Sequence, residues 1–298
     1  MKGWINLNRK LEKWTIFLFL LPASFLYLLF VIYPSIEALR MSFYNWRGIG
    51  AREWIGIDNY IRMFQDSNFI NSFLVTGKYI LFLLPIVLIL SVIIALSIAH
   101  LIRTRWFNIY RTITFFPYIL PGVAIAMLWA TIFNPVSGML NGVLELVGLE
   151  ELTREWLGRR ETAFGSVVFV TVWQMVGFYS VLILAAILNI PEEVMEAADI
   201  DGASRFQKNV YIVLPLLKDI LQVVVIFTLI NTLKIFEMPQ LMTNGGPSRS
   251  TQPVSLYMYE QAFSNYNFGY ASAIGVIFLV LTLILSILTL RITRGNQR

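Results

Sequence analysis

Five stretches of this chain run for more than twenty residues without a single Asp, Glu, Lys or Arg. They are 14–36, 79–102, 112–144, 162–191 and 261–290. A bilayer core about 30 Å thick is crossed by roughly 20 apolar residues in a helix, so each run is long enough to span. A sixth, 220–233, is uncharged but short, with Lys218 and Asp219 before it and Lys234 and Glu237 after it. The membrane part of the third run is expected to end near Asn134-Pro135, and that of the sixth span to begin near Tyr270. The chain is therefore expected to be an all-α integral membrane protein with six transmembrane helices. An even number of crossings puts both termini on one side.

Composition narrows the function classes. The 298 residues are 57% hydrophobic and 14% charged, with a mean hydropathy of +0.68. A soluble domain sits nearer 45–50% apolar and about 25% charged. With no Cys, disulfides and thiolate metal sites are excluded, and one His, His100, leaves no histidine-based zinc site. The first run is too long for a secretory h-region of about 7–15 residues, and no small-x-small cleavage site follows it, so it reads as a retained helix. Pro22, Pro85, Pro117, Pro121 and Pro215 fall within the spans. They fit a protein that rocks between states, and equally the ordinary tolerance of membrane helices for proline.

Lys and Arg in the connecting segments set the orientation. One side would carry Lys2, Arg9, Lys10, Lys13, Arg103, Arg105, Arg111, Arg205, Lys208, Lys218, Arg291, Arg294 and Arg298. The other carries nine basic residues on longer loops, offset by about as many acids. This thirteen-to-nine bias favours N-in, C-in, and in a membrane protein it accounts for the net charge of +5 without nucleic acid.

The segment 190–215 differs from the other connections. Pro191 suits a first helical position, and Glu192 and Glu193 favour the positive end of a helix dipole. Asp201-Gly202 reads as a break, with a second short helix expected from Ala203. Physically this could be an amphipathic connector lying on the membrane surface. Its spacing is Glu196-Ala197-Ala198, three residues, Gly202, nine residues, then Ile212-x-Leu214-Pro215. That pattern resembles the cytoplasmic signature of the permease subunits of binding-protein-dependent ABC importers. Farther on, Leu241-Met242-Thr243-Asn244-Gly245-Gly246-Pro247, followed by Thr251, resembles the sugar branch of that family, the maltose-type first permease. The resemblance covers about residues 70–292, with the first helix as an N-terminal addition to one permease domain over 1–298.

The resemblance implies a type I ABC importer permease fold in the cell (inner) membrane. It implies that Glu196, Ala197, Ala198, Asp201, Gly202, Ala203 and Phe206 form coupling helices seated in a cleft of an ATP-hydrolysing subunit. The expected partners are a second permease subunit, two copies of the ATP-binding subunit and an extracellular or periplasmic solute-binding protein. No cofactor is expected on this chain; ATP and Mg belong to the partner. The sequence agrees that the motor is elsewhere, since Gly77-Lys78 is followed by Tyr79 and no phosphate-binding Gly-x-x-x-x-Gly-Lys-Ser/Thr occurs.

Polar groups within a membrane are costly and default to functional candidates. Asn231, Lys234, Phe236 and Glu237 close the fifth span. Lys234 and Glu237 are three apart and could meet on one helix face, or Lys234 could snorkel to the interface, or Asn231 and Lys234 could line a solute path. In the fourth span, Trp173, Gln174, Phe178 and Tyr179 offer the amide, hydroxyl and flat aromatic groups that a sugar needs, although the aromatics could equally pack between helices. Aromatics between Arg40 and Asp66 suit an interfacial belt or a docking surface. Absence of His-Glu-x-x-His and Gly-x-Ser-x-Gly argues against an intramembrane enzyme. A carbohydrate importer is expected; glycerol phosphate as the solute, and a stand-alone secondary transporter or channel, are the alternatives.

Overall fold

The computed structural model describes residues 2–102 and 104–295, with side chains for 15–102, 104–289 and 291. Of the basic residues used for orientation, Lys2, Arg9, Lys10, Lys13, Arg103, Arg294 and Arg298 lie outside the described side chains. The described chain is helical apart from one short ribbon, β1 (Tyr44–Asn45) and β2 (Glu53–Trp54), paired antiparallel with Tyr44 opposite Trp54.

The helices in order are α1 (Lys2–Tyr27), α2 (Tyr33–Met41), α3 (Asp58–Gln65), α4 (Ser67–Ala99), α5 (Trp106–Ile119), α6 (Gly122–Ile132), α7 (Met139–Leu146) and α8 (Arg160–Ile187). Then come α9 (Glu192–Ile200), α10 (Arg205–Lys208), α11 (Leu214–Leu216), α12 (Lys218–Leu233), α13 (Glu237–Thr243), α14 (Val254–Tyr259) and α15 (Phe268–Gly295). Four segments are individually long and apolar enough to cross a bilayer: Thr15–Met41, Ser67–Ala99, Arg160–Ile187 and Phe268–Thr289. Two bent pairs, α5 with α6 and Arg205–Leu216 with α12, turn by 95° and 70°, and counting each as one crossing gives six.

Two spans differ from the expectation. The third, expected as one run leaving the membrane near Asn134-Pro135, breaks at Leu120-Pro121. Leu120 (φ −68°, ψ 140°) and Pro121 (φ −56°, ψ 133°) are extended. Proline crowds its predecessor out of the α region, which accounts for Leu120. The second span starts at Ser67 rather than Tyr79, because Asp66 caps it by accepting a hydrogen bond from the Asn68 amide at 2.9 Å.

The chain divides into two compact units. One holds the N-terminal segment to Gln65 together with Met258–Leu279; the other holds Asp66–Tyr257 and the segment from Val280 on. In the first unit the apolar window of Thr15–Met41 has no buried residue. The expected aromatic collar packs on itself: Trp54 lies 5.7 Å from Phe43 and 5.0 Å from Tyr44, and the Arg52 guanidinium sits 4.6 Å over the Trp46 ring.

In the second unit α8 is the central post. Tyr79, Leu83, Val87, Ser91 and Ala95 are fully buried along one stripe of α4, at the four-residue step that keeps one helix face inward. Tyr79 meets Phe164 at 4.8 Å between ring centroids, and the Ser91 hydroxyl donates to the Val176 carbonyl at 3.2 Å. Twelve residues along one helix match twelve along the other, so α4 and α8 run parallel. The α5–α6 pair returns antiparallel to α8: Gly177 abuts Thr114, while farther along the pair Trp129 packs on Trp173 and Phe133 on Trp156.

Two polar clasps tie off the open ends. After α7, Asn141 is 6% exposed; its amide donates to the Pro135 and Arg154 carbonyls, and its oxygen accepts from the Trp156 indole at 2.7 Å. Asn141→Ala removes all three part-buried bonds at once, so it should lower stability by about 2 kcal/mol; thermal unfolding in detergent measures this. The Thr243–Pro247 turn is the second clasp. Asn244 takes left-handed backbone (φ 49°), and the Thr243 hydroxyl meets that of Thr251 at 2.7 Å. Beyond it, Asn71 donates to the Arg249 carbonyl, Tyr79 to the Thr251 carbonyl, and the Val254 amide to the Thr76 hydroxyl.

Candidate functional sites: the Glu196 loop and the central cavity

The loop after α8 does form two short helices joined at a glycine. Pro191 is the residue before the helix rather than its first turn, and Glu192 and Glu193 occupy that turn. Gly202 has φ +72°. The Ala203 amide donates to the Ala198 carbonyl at 3.0 Å and the Gly202 amide to the Asp199 carbonyl at 3.1 Å. This is the paired-bond ending that a left-handed residue after a helix permits. The second helix starts at Arg205, not Ala203, because Ser204 caps it. The Ser204 hydroxyl accepts from the Gln207 amide, and the Gln207 side chain accepts from the Ser204 amide. Lys208 then pairs with Asp199 at 2.5 Å, tying α10 to α9.

Glu196, Ala197, Asp201, Gly202 and Phe206 are exposed on this loop. Phe206 is 73% and Ile200 87% exposed, so two apolar side chains flank the glycine turn, largely uncovered among the described residues. Ala198 is the exception among the expected contact residues. It is 5% exposed and packs inward, because the turn that brings Ala203 back closes over it; Ala203 is half-buried.

The second site is a cavity of about 480 Å³ between α5, α8, the end of α12 and the start of α13. Of the expected solute-contacting residues, Gln174, Asn231, Lys234, Phe236 and Glu237 line it. The other three stand behind the lining. Tyr179 is buried and accepts a hydrogen bond from the Asn231 amide at 3.0 Å. Phe178 stacks on Tyr118, centroids 4.5 Å apart, and Tyr118 is the ring that reaches the cavity. Trp173 packs against Trp129 at 5.5 Å. The sequence reading missed Tyr118 and Thr171; Thr171 lies one turn before Gln174 on α8, and that spacing was the available signal.

Lys234 and Glu237 do not share a helix face. α12 ends at Leu233, Phe236 leaves helical backbone (φ −143°, ψ −54°), and α13 begins at Glu237. Among the described residues no ion pair joins them. The Glu237 carboxylate instead stands over Gly122, where an added Cβ would fall 1.8 Å from Oε2 and 3.7 Å from Nε2 of Gln174. The glycine that opens α6 thus leaves room for an acidic side chain at the cavity wall.

Residues 91–297, most of the chain and both sites, match the family described as binding-protein-dependent transport system inner membrane component. The chain belongs to this family. The permease is 36% identical over 91% of its length to the diacetylchitobiose uptake system permease protein NgcF of Streptomyces coelicolor, covering 81% of that protein. It is 35% identical over 94% of its length to the probable ABC transporter permease protein YurN of Bacillus subtilis, covering 96%. Its structure superposes on a chain of a bacterial ABC transporter involved in the import of the acidic polysaccharide alginate, with TM-score 0.87, 25% identity and full coverage of both chains. The fold is therefore that of an ABC importer permease, a multi-pass inner-membrane transport component rather than an enzyme.

Proposed function

We propose that this permease is a membrane-spanning subunit of an ATP-driven importer that carries a mono- or oligosaccharide delivered by an extracellular solute-binding protein. The observation that carries the reading is the central cavity. Two carboxamides, Gln174 and Asn231, open onto it beside the Tyr118 ring that Phe178 supports. Amides satisfy hydroxyls while a ring covers the apolar face of a pyranose. The family's dependence on a binding protein, the diacetylchitobiose relative and the alginate importer support the same class. Lys234 alone would also suit glycerol phosphate. Glu237 on the same cavity balances that charge and favours a neutral sugar.

In this reading the Glu196 loop receives the motor. Exposed Phe206 and Ile200 fill an apolar cleft of an ATP-binding subunit, Glu196 meets a cation there, and ATP and Mg stay on that partner. A second permease subunit completes the pathway, and the loop and both termini face the cytoplasm. Extraction in mild detergent should recover an ATP-binding subunit with this chain. The reconstituted complex should hydrolyse ATP faster when the loaded solute-binding protein is added. Transport by the isolated chain without ATP would instead establish a channel or secondary transporter. Gln174→Ala and Asn231→Ala should each raise the solute concentration needed for half-maximal stimulation by about tenfold, the equivalent of one good hydrogen bond. Assembly should be intact in both; unchanged stimulation would remove these residues from the path.

A further inference from the structure

A second cavity, also about 480 Å³, shares no lining residue with the solute site. It is built on one face of α5, at the helical spacing Asn108, Arg111, Thr112, Phe115, Phe116 and Ile119, against Val181 of α8. The face changes character along its length. Its first turn and a half offers an amide, a guanidinium and a hydroxyl; the rest is two phenyl rings and an aliphatic chain. Among the described residues Arg111 forms no ion pair and no hydrogen bond. From His100 to Leu144 the sequence holds three arginines and no Asp or Glu, so no acid of this segment neutralises it.

The position of this gradient is fixed by the helix pairing. α5 is antiparallel to α8, with Thr114 against Gly177, so Arg111 and Val181 lie on the side of that contact toward the Glu196 loop. The polar end thus points to the end of the bundle where the membrane-spanning helices emerge, and the apolar end points toward its middle. A phospholipid has the same gradient, with an anionic phosphate, ester oxygens and then acyl chain.

We infer that this groove is a binding site for one anionic phospholipid, with its phosphate on Arg111, its ester region at Asn108 and Thr112, and an acyl chain along Phe115, Phe116 and Ile119. A basic pocket between membrane helices on the headgroup level is the usual form of such sites. The site stands apart from the proposed sugar path and survives if that proposal fails.

The test uses the assembled transporter in nanodiscs of phosphatidylethanolamine with a minor fraction of phosphatidylglycerol. After transfer to detergent and washing, native mass spectrometry counts the lipids that stay bound. One phosphatidylglycerol should be retained per copy of this chain, and millimolar inorganic phosphate should not displace it. Arg111→Gln should reduce retention about fivefold, the effect of one basic residue at a membrane surface, while Arg111→Lys should keep most of it. Equal retention in Arg111→Gln, or no preference over phosphatidylethanolamine, overturns the inference. So does displacement by phosphate, which would mean a soluble anion site. The chain has no Cys, so Ile119→Cys supplies a single thiol on this chain, followed by the mass of this chain. Labelling by a bilayer-dissolved maleimide in the assembled transporter should be faster in phosphatidylethanolamine alone than with phosphatidylglycerol present, and equal protection in both lipids overturns the inference by showing that another subunit fills the groove.

Discussion

Gly177→Val is expected to destabilise the permease by about 3 kcal/mol, the upper part of the range for overpacking a tight interior. A Cβ at Gly177 would fall 1.9 Å from the Thr114 carbonyl oxygen, 2.9 Å from its carbon and 3.3 Å from the Phe115 Cα. All three are backbone atoms, so no side-chain rotation relieves the clash and α5 must move. α8 has no room to retreat, since the neighbouring Val176 carbonyl is held by Ser91 of α4. Gly165→Ala on the same helix is the control, because its added methyl would meet nothing within 4 Å. Thermal unfolding in detergent should separate the two variants clearly; matching midpoints would mean that the α5–α8 crossing is looser than described. Gln174 and Phe178 flank this crossing, so solute stimulation should weaken in step with stability.

The second large effect is expected at Gly202, and it isolates backbone from bulk. Space is not the constraint there, as an added Cβ would meet nothing within 4 Å. The constraint is φ +72°, a region that costs an ordinary residue about 1–2 kcal/mol and a β-branched one more. Gly202→Val should open the turn, turn α9 away from α10 and, on the function proposed above, lower uptake by about tenfold or more, the rate equivalent of 1.4 kcal/mol. Gly202→Asn, which tolerates left-handed backbone, should stay close to wild type. Global unfolding should change little in either, because the loop is peripheral. Full uptake in the valine variant would break the link between this turn and transport. Equal loss in both would show that the proposed ATP-binding partner sits directly on position 202.

These two glycines also show what could be read in advance. The break at Gly202 was legible because its signals are local: acids in the first helical turn and the Asp-Gly pair after the helix. The two-residue error in where α10 begins came from the Ser204–Gln207 capping box, which leaves Ala203 in the turn. Gly177 carried no such signal; its role exists only because Thr114 passes beneath it. The same holds for prolines. Pro22, Pro85 and Pro117 stay inside helices, while Pro121 sits at the 95° bend. Residue type does not distinguish them, because neighbouring helices decide whether the freed backbone groups find partners.

The cavity followed a similar division. Gln174, Asn231, Lys234, Phe236 and Glu237 could be picked out because four of them are polar groups in or beside apolar runs. Tyr118 could not, since it reaches the cavity only where the α5–α6 segment bends. Trp173, Phe178 and Tyr179 have suitable chemistry, but the rotation of α8 assigns them to its packed side. Of the readings open for Lys234, a meeting with Glu237 on one face fails because helical spacing presumes an unbroken helix, and Phe236 interrupts it.

The clasp between α4 and the segment after α13 bears on how the protein is made. Asn71, Thr76 and Tyr79 find their partners 172 to 178 residues later in the chain, and Tyr257 bonds Asp66 across 191. Synthesis runs from the N-terminus, so α4 enters the bilayer while every one of these partners is still unmade. The Thr76 hydroxyl already donates to the Ser72 carbonyl of its own helix, but until then the Asn71 amide and the Tyr79 hydroxyl have only water, headgroups or the insertion machinery to satisfy them, at a cost of several kcal/mol for each left bare in hydrocarbon. A nascent permease cut short before Arg249 thus carries a polar stripe that no later event can cover, a mark by which membrane quality control could tell unfinished chains from completed ones.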